Sequence, residues 1–136
     1  MKYIGVGEFF LIAEAVLTEQ HGPRGHSARA LNRAADPQRV LSVLAAPKSA
    51  VDGVELYPSL AEKAAVLCIR IARNRPLPYD NEAVAYLAMV EFIELNDARW
   101  TPPPEGSDEV VSVIEAMATG AISEAEFALW VSERVA

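Results

Sequence analysis

Nine positions, Arg75 to Ala83, gather most of the chemically active side chains that this sequence brings into a short space. They read RPLPYDNEA and lie between two strongly apolar stretches, within ARNRPLPYDNEAVAYLAMVEFIELND at residues 72–97. The Arg75 guanidinium can meet a phosphate through two parallel hydrogen bonds, but it stays protonated at any working pH and cannot act as a base. Asp80 and Glu82 offer carboxylates that can take a proton or hold a divalent ion, with the Tyr79 phenol as a further ligand. The simpler expectation is that both carboxylates stand in solvent and cap a helix starting at Asn81, and no metal site is assigned. The chain has two histidines, His21 and His26. Either can supply a base from outside the loop, but glycine and proline surround both, and a solvated loop is the expectation there. Arg70 and Arg73 either reach the same cleft or extend their charged ends to water. Trp100 and Trp130 are expected to pack in the core. Cys68, between Leu67 and Ile69, has no visible activating neighbour and reads as a buried apolar thiol.

The elements that must position these residues are helices. Residues 7–20, GEFFLIAEAVLTEQ, place Phe10, Ala13, Val16 and Leu17 on one helical face, and His21-Gly22-Pro23 stops that helix. Residues 22–35 begin as a loop, with a short helix over SARALNRAA. Asp36-Pro37 supplies an N-cap and a first-turn proline for a helix over QRVLSVLAA, which Pro47 ends. Residues 48–57, KSAVDGVELY, are the one extended segment, a flap or hairpin turning at Asp52-Gly53. Ser59 and Glu62 form a capping-box pattern that opens a helix to about Asn74, apolar nearly all round and therefore central. Pro76 and Pro78 break it. A second strongly apolar helix runs from about Asn81 to Leu95. Thr101 to Pro104 form a stiff spacer. Ser107 is expected to cap EVVSVIEAMAT, Gly120 to stop it, and Ser123 with Glu126 to cap the last helix. The fold class is all-α: a compact bundle of about six or seven helices with a short flap or hairpin near residues 48–57.

Composition bounds the remaining choices. A length of 136 residues favours a single domain over residues 1–136, and 51% hydrophobic residues exclude a disordered chain. The net charge of −7, from 12 basic and 19 acidic residues, argues against direct nucleic-acid binding, although Arg24, Arg29, Arg33 and Arg39 are loosely grouped. A single cysteine rules out an internal disulfide and fits a reducing, cytoplasmic location. Glu8 and Glu14 interrupt the apolar N-terminus, so neither a signal peptide nor a membrane span is expected.

The helix-loop-helix at residues 72–97 resembles the signature of the Fic/Doc family. That family's loop runs His-Pro-Phe-x-Asp/Glu-Gly-Asn-Lys-Arg, between helices ending in Ala-Arg-Asn and Leu-Glu-Leu-Asn. Further segments are similar to the Doc branch, the death-on-curing toxins: RVLSVLAAP at 39–47, ELYPSLAEKAAV at 55–66, and DEVVSVIEAMATGAISEAEFALWV at 108–131. Residues 21–35 match poorly. The resemblance implies a Fic/Doc-like helical fold and a toxin–antitoxin setting. It implies an activity in which ATP or another NTP with magnesium donates AMP or phosphate to a protein, in the Doc branch to a translation factor. It also implies a Phd-type antitoxin segment laid across the fold.

Most of the reactive positions differ from the family's. Arg75 stands at the histidine position that supplies the general base. Pro76 and Asn81 match, and Leu77 replaces phenylalanine. Tyr79 stands at the acidic, metal-holding position, and Asp80 at the glycine that lets backbone approach phosphate. Glu82 and Ala83 replace a lysine and an arginine. One charge facing another at ~4 Å is worth about 1 to 4 kcal/mol in partly wet surroundings, so the change from attraction to repulsion weakens nucleotide binding severely. Asn81, which matches, and Arg75, which does not, are the candidate cofactor contacts, and Arg75, Asp80 and Glu82 the candidate catalytic residues. Two functions follow. In the first, the transferase reaction is lost and the protein acts by binding an amphipathic helical partner such as an antitoxin. In the second, altered loop residues still run a nucleotide-dependent phosphotransferase or AMP-transferase. An unrelated helical interaction module is a third class consistent with the same apolar pattern.

Overall fold

A computed structural model of the chain describes residues 1–22 and 24–136. Seven α-helices are present among the described residues: α1 (Val6–His21), α2 (Ala28–Ala34), α3 (Pro37–Ala45), α4 (Leu60–Asn74), α5 (Asn81–Leu95), α6 (Glu109–Thr119) and α7 (Glu124–Ser132). The all-α bundle expected from periodicity is what forms, and among the described residues no helix is long and apolar enough to cross a membrane. Two short strands, β1 (Ala50–Val51) and β2 (Val54–Glu55), pair antiparallel as the hairpin expected between residues 48 and 57. Asp52 and Gly53 both have positive φ, 51° and 79°, as a tight two-residue hairpin turn requires.

Helix α4 is the axis of the molecule. It packs against α3, α5, α6 and α7, and nine of its residues are buried, including Leu67, Cys68, Ile69 and Ile71. Its start is set by Ser59, whose hydroxyl accepts from the Glu62 N–H at 3.1 Å. Glu62 answers by accepting the Ser59 hydroxyl proton at 2.8 Å, so only half of the capping-box pattern closes on the backbone. Helix α5 lies against α4 and α1 with Val84, Ala85, Ala88, Met89, Phe92 and Ile93 inward. Burying such side chains stabilises the fold by about 1.5–3 kcal/mol each for the larger ones.

Three local expectations need correction or completion. Asp108, not Ser107, holds the N-cap of α6, and its side chain makes no capping bond. Ser107 instead closes a turn, its N–H donating to the Pro104 carbonyl at 3.1 Å. Gly22 ends α1 as expected, while Pro23, the other half of that stop, lies outside the described residues. Lys63, within the apolar stretch of α4, is buried at 2% exposure, and its ammonium donates to the Pro47 carbonyl at 3.2 Å and to Glu55 at 2.9 Å. This bond ties the hairpin to the central helix.

Both tryptophans pack. Trp100 is buried and donates its indole proton to the Tyr86 hydroxyl, while Trp130 donates to Glu109. Arg134 lies over the Trp130 ring, 4.7 Å from its centroid, and also holds Glu109. The C-terminal residues pair with the segment after α5, through bonds between Arg99 and Ala136 and from Thr101 to Arg134.

Candidate functional site

Helix α4 ends because Arg75 turns left-handed, with φ 51° and ψ 63°, while its N–H still donates to the Ile71 carbonyl at 3.1 Å. A non-glycine residue in that region costs on the order of 1 kcal/mol, and the following Pro76 already disfavours continued helix. The loop from Arg75 to Asp80 is then fixed at several points. The Pro76 carbonyl accepts from the Asp36 N–H at 3.0 Å, which ties the loop to the start of α3. Leu77 is buried at 4% exposure, filling the core as the sequence suggests. Asn81, at 1% exposure, reaches back across the loop: its Oδ1 accepts from the Leu77 N–H at 2.9 Å and its Nδ2 donates to the Leu77 carbonyl at 3.0 Å. Both the oxygen and the nitrogen of the Asn81 amide are therefore engaged in shaping the loop.

Asp80 is the second left-handed residue, with φ 56° and ψ 30°, at the N-cap of α5. Its carboxylate does not cap the helix, contrary to the simpler expectation, because it faces α1 and pairs with His21 Nε2. His26 also comes to the loop. Its Nδ1 bonds the Gly22 carbonyl at 3.0 Å, and since a carbonyl can only accept, Nδ1 carries the proton. Nε2 is then left to accept from the Tyr79 hydroxyl at 2.8 Å. The two imidazoles and the Tyr79 ring lie with centroids 5.6 to 6.0 Å apart. The expected solvated histidine loop is thus corrected: His26 is buried at 9% exposure and His21, although half exposed, is engaged. Two histidines five residues apart in a chain with no others were the available signal, but nothing local told which loop they would meet.

The remaining candidates separate cleanly. Arg73 does not reach the cleft: its guanidinium donates to the Met117 carbonyl at 2.8 and 3.1 Å, satisfying the C-terminal end of α6, and pairs with Glu124. Arg70 turns to the Tyr57 hydroxyl at 3.4 Å. Cys68 is fully buried, and burial pushes its thiol well above the ordinary range, so no thiolate forms at neutral pH.

Arg75, Asp80, Asn81 and Glu82 all border one open cleft of about 820 Å³, bounded by α1, the loop, α5 and α6. The structure therefore brings the sequence's site residues to one place. Its charge is lopsided. Glu19 from α1, Glu82 from α5 and Glu115 from α6 face it, and none is ion-paired among the described residues. Arg75 is its one guanidinium. No three His, Cys, Asp or Glu side chains among the described residues are placed to hold a metal ion together. Asp80 pairs with His21 and the Tyr79 hydroxyl with His26, so of the loop's three candidate metal donors Glu82 alone has no partner among the described residues.

Fold and site together define a helical domain whose helix-loop-helix encloses a mainly acidic cleft. No family model matches the chain. It is similar to the protein named Toxin Doc of Mycolicibacterium smegmatis, with 38% identity over 55 residues. The match spans 40% of this chain and 42% of the length of that relative.

Proposed function

We propose that the protein is a Doc-like member of a toxin–antitoxin system that acts through protein binding, with the family's transferase reaction lost. The observation that carries this reading is the cleft itself. Three unpaired carboxylates and one guanidinium face a space where phosphate chemistry needs cations, and the loop position that would hold the general base is Arg75. The similarity to a Doc toxin supports the toxin–antitoxin setting, and the partner is an amphipathic helical segment such as a Phd-type antitoxin. Titration calorimetry with ATP, GTP and CTP, with and without magnesium, tests it. No heat at millimolar nucleotide is expected; micromolar binding overturns the reading.

The pairing of His21 with Asp80 favours one second reading, a nucleotide-dependent transferase using altered loop residues. Arg75 would hold a phosphate of the donor nucleotide. A target hydroxyl oxygen would bond to phosphorus as the leaving phosphate takes the electron pair, and the hydroxyl proton would pass to the His21 imidazole, oriented by Asp80. Its partner in catalysis would be a protein substrate, a translation factor in the Doc branch. Transfer of label from nucleotide to protein, abolished by His21→Asn and by Arg75→Ala, would establish it.

A further inference from the structure

The cleft has an apolar floor as well as an acidic rim. Val110 and Val111 of α6 and Leu87 of α5 line it beside Glu82 and Glu115, and Val111 is 67% exposed. An exposed valine on a concave apolar surface is an unpartnered contact, since such area is favourably removed from water. Glu82 sits in the first turn of α5, and Glu115 lies one turn along α6 from Val111, so the carboxylates flank the apolar strip from two sides. Glu19 closes a third side from the end of α1.

We propose that this cleft receives a basic amphipathic helix of a partner protein, with apolar residues on the α5–α6 floor and lysine or arginine side chains at Glu82, Glu115 and Glu19. This rests on the binding reading above and specifies the chemistry of the partner. Charge complementarity selects the occupant. An acidic helix or a phosphate-bearing ligand would bring anions against three unpaired carboxylates, whereas a cationic helix offers them counter-charges. Arg75 faces the same cleft and sets the register, because a cationic side chain placed against it is repelled.

The test uses the whole protein and two synthetic helical peptides that share a leucine face, one with lysine and one with glutamate on the opposite face. Binding is read by fluorescence anisotropy at low and at moderate salt. The lysine peptide is expected to bind and the glutamate peptide not to. Glu82→Lys and Glu115→Lys are each expected to weaken the lysine peptide about ten-fold or more, whereas Glu133→Lys, which makes the same change in net charge outside the cleft, leaves it unchanged. Circular dichroism of each variant shows that it is folded. Equal binding of both peptides, or equal effects of Glu133→Lys and the cleft variants, overturns the proposal. Micromolar nucleotide binding would instead overturn the loss of transferase function, so the two failures are told apart.

Discussion

Replacing Asn81 by alanine removes both hydrogen bonds that close the loop on Leu77. The Leu77 N–H and C=O then lie unpaired beside a side chain that is 4% exposed. Each buried amide group left without a partner costs about 1–3 kcal/mol, so the variant is expected to lose ~2–6 kcal/mol. That is a large share of the ~5–15 kcal/mol that holds a domain of this kind. At this chain length the midpoint of thermal unfolding should fall by roughly 10 °C. Urea unfolding checks the magnitude: the transition midpoint moves to lower urea while the slope is kept, since the surface exposed on unfolding is unchanged. Asn81→Asp supplies an acceptor where Leu77 also presents one, and is expected to fare no better than alanine. A loss under ~1 kcal/mol in either variant would refute the assignment of Asn81 as the residue that shapes the loop, because water or backbone shifts would then be replacing it.

Lys63→Met keeps the buried stem but leaves the buried Pro47 carbonyl without its donor, so global stability should fall by about 1–3 kcal/mol; freed from Glu55, the hairpin at Ala50–Glu55 should be cut faster in limited proteolysis, and an unchanged cutting rate would show that the pair does not hold it. The Glu126 carboxyl is held below the ordinary carboxylate range by hydrogen bonds from Ser123. A carboxyl depressed in the folded state stabilises above its unfolded pKa, and that contribution is lost as pH falls through the folded value. Glu126→Gln should therefore be less stable than wild type at neutral pH, with the gap closing in acid; a gap that is constant with pH would count against this origin. Cys68 should resist a thiol reagent in the native protein and react once the chain is unfolded, and rapid labelling under native conditions would contradict its burial.

Local physics was legible in the chain because it acts over a few residues. Helical periodicity marked α1, α4 and α5, Ser59 and Ser123 marked the starts of α4 and α7, and Asp52-Gly53 marked the hairpin, since each signal depends on neighbours within about one turn. The loop also declared itself by residue type, and the structure sets Arg75, Asp80, Asn81, Glu82 and Ala83 along one cleft. Long-range pairing was not legible. Nothing in His21-Gly22 announces Asp80 at the far end of another helix pair, and nothing in an apolar run predicts that Lys63 will be buried against Pro47 and Glu55. From the sequence Arg73 could equally have faced the cleft or water; that it satisfies a carbonyl of α6 was decided only when Met117, in the last turn of α6, came within reach. The sequence by itself determined the helical elements and the residue types of the Arg75–Ala83 loop. Tertiary structure decided which charges face one another, because that depends on packing directions between helices far apart in the chain.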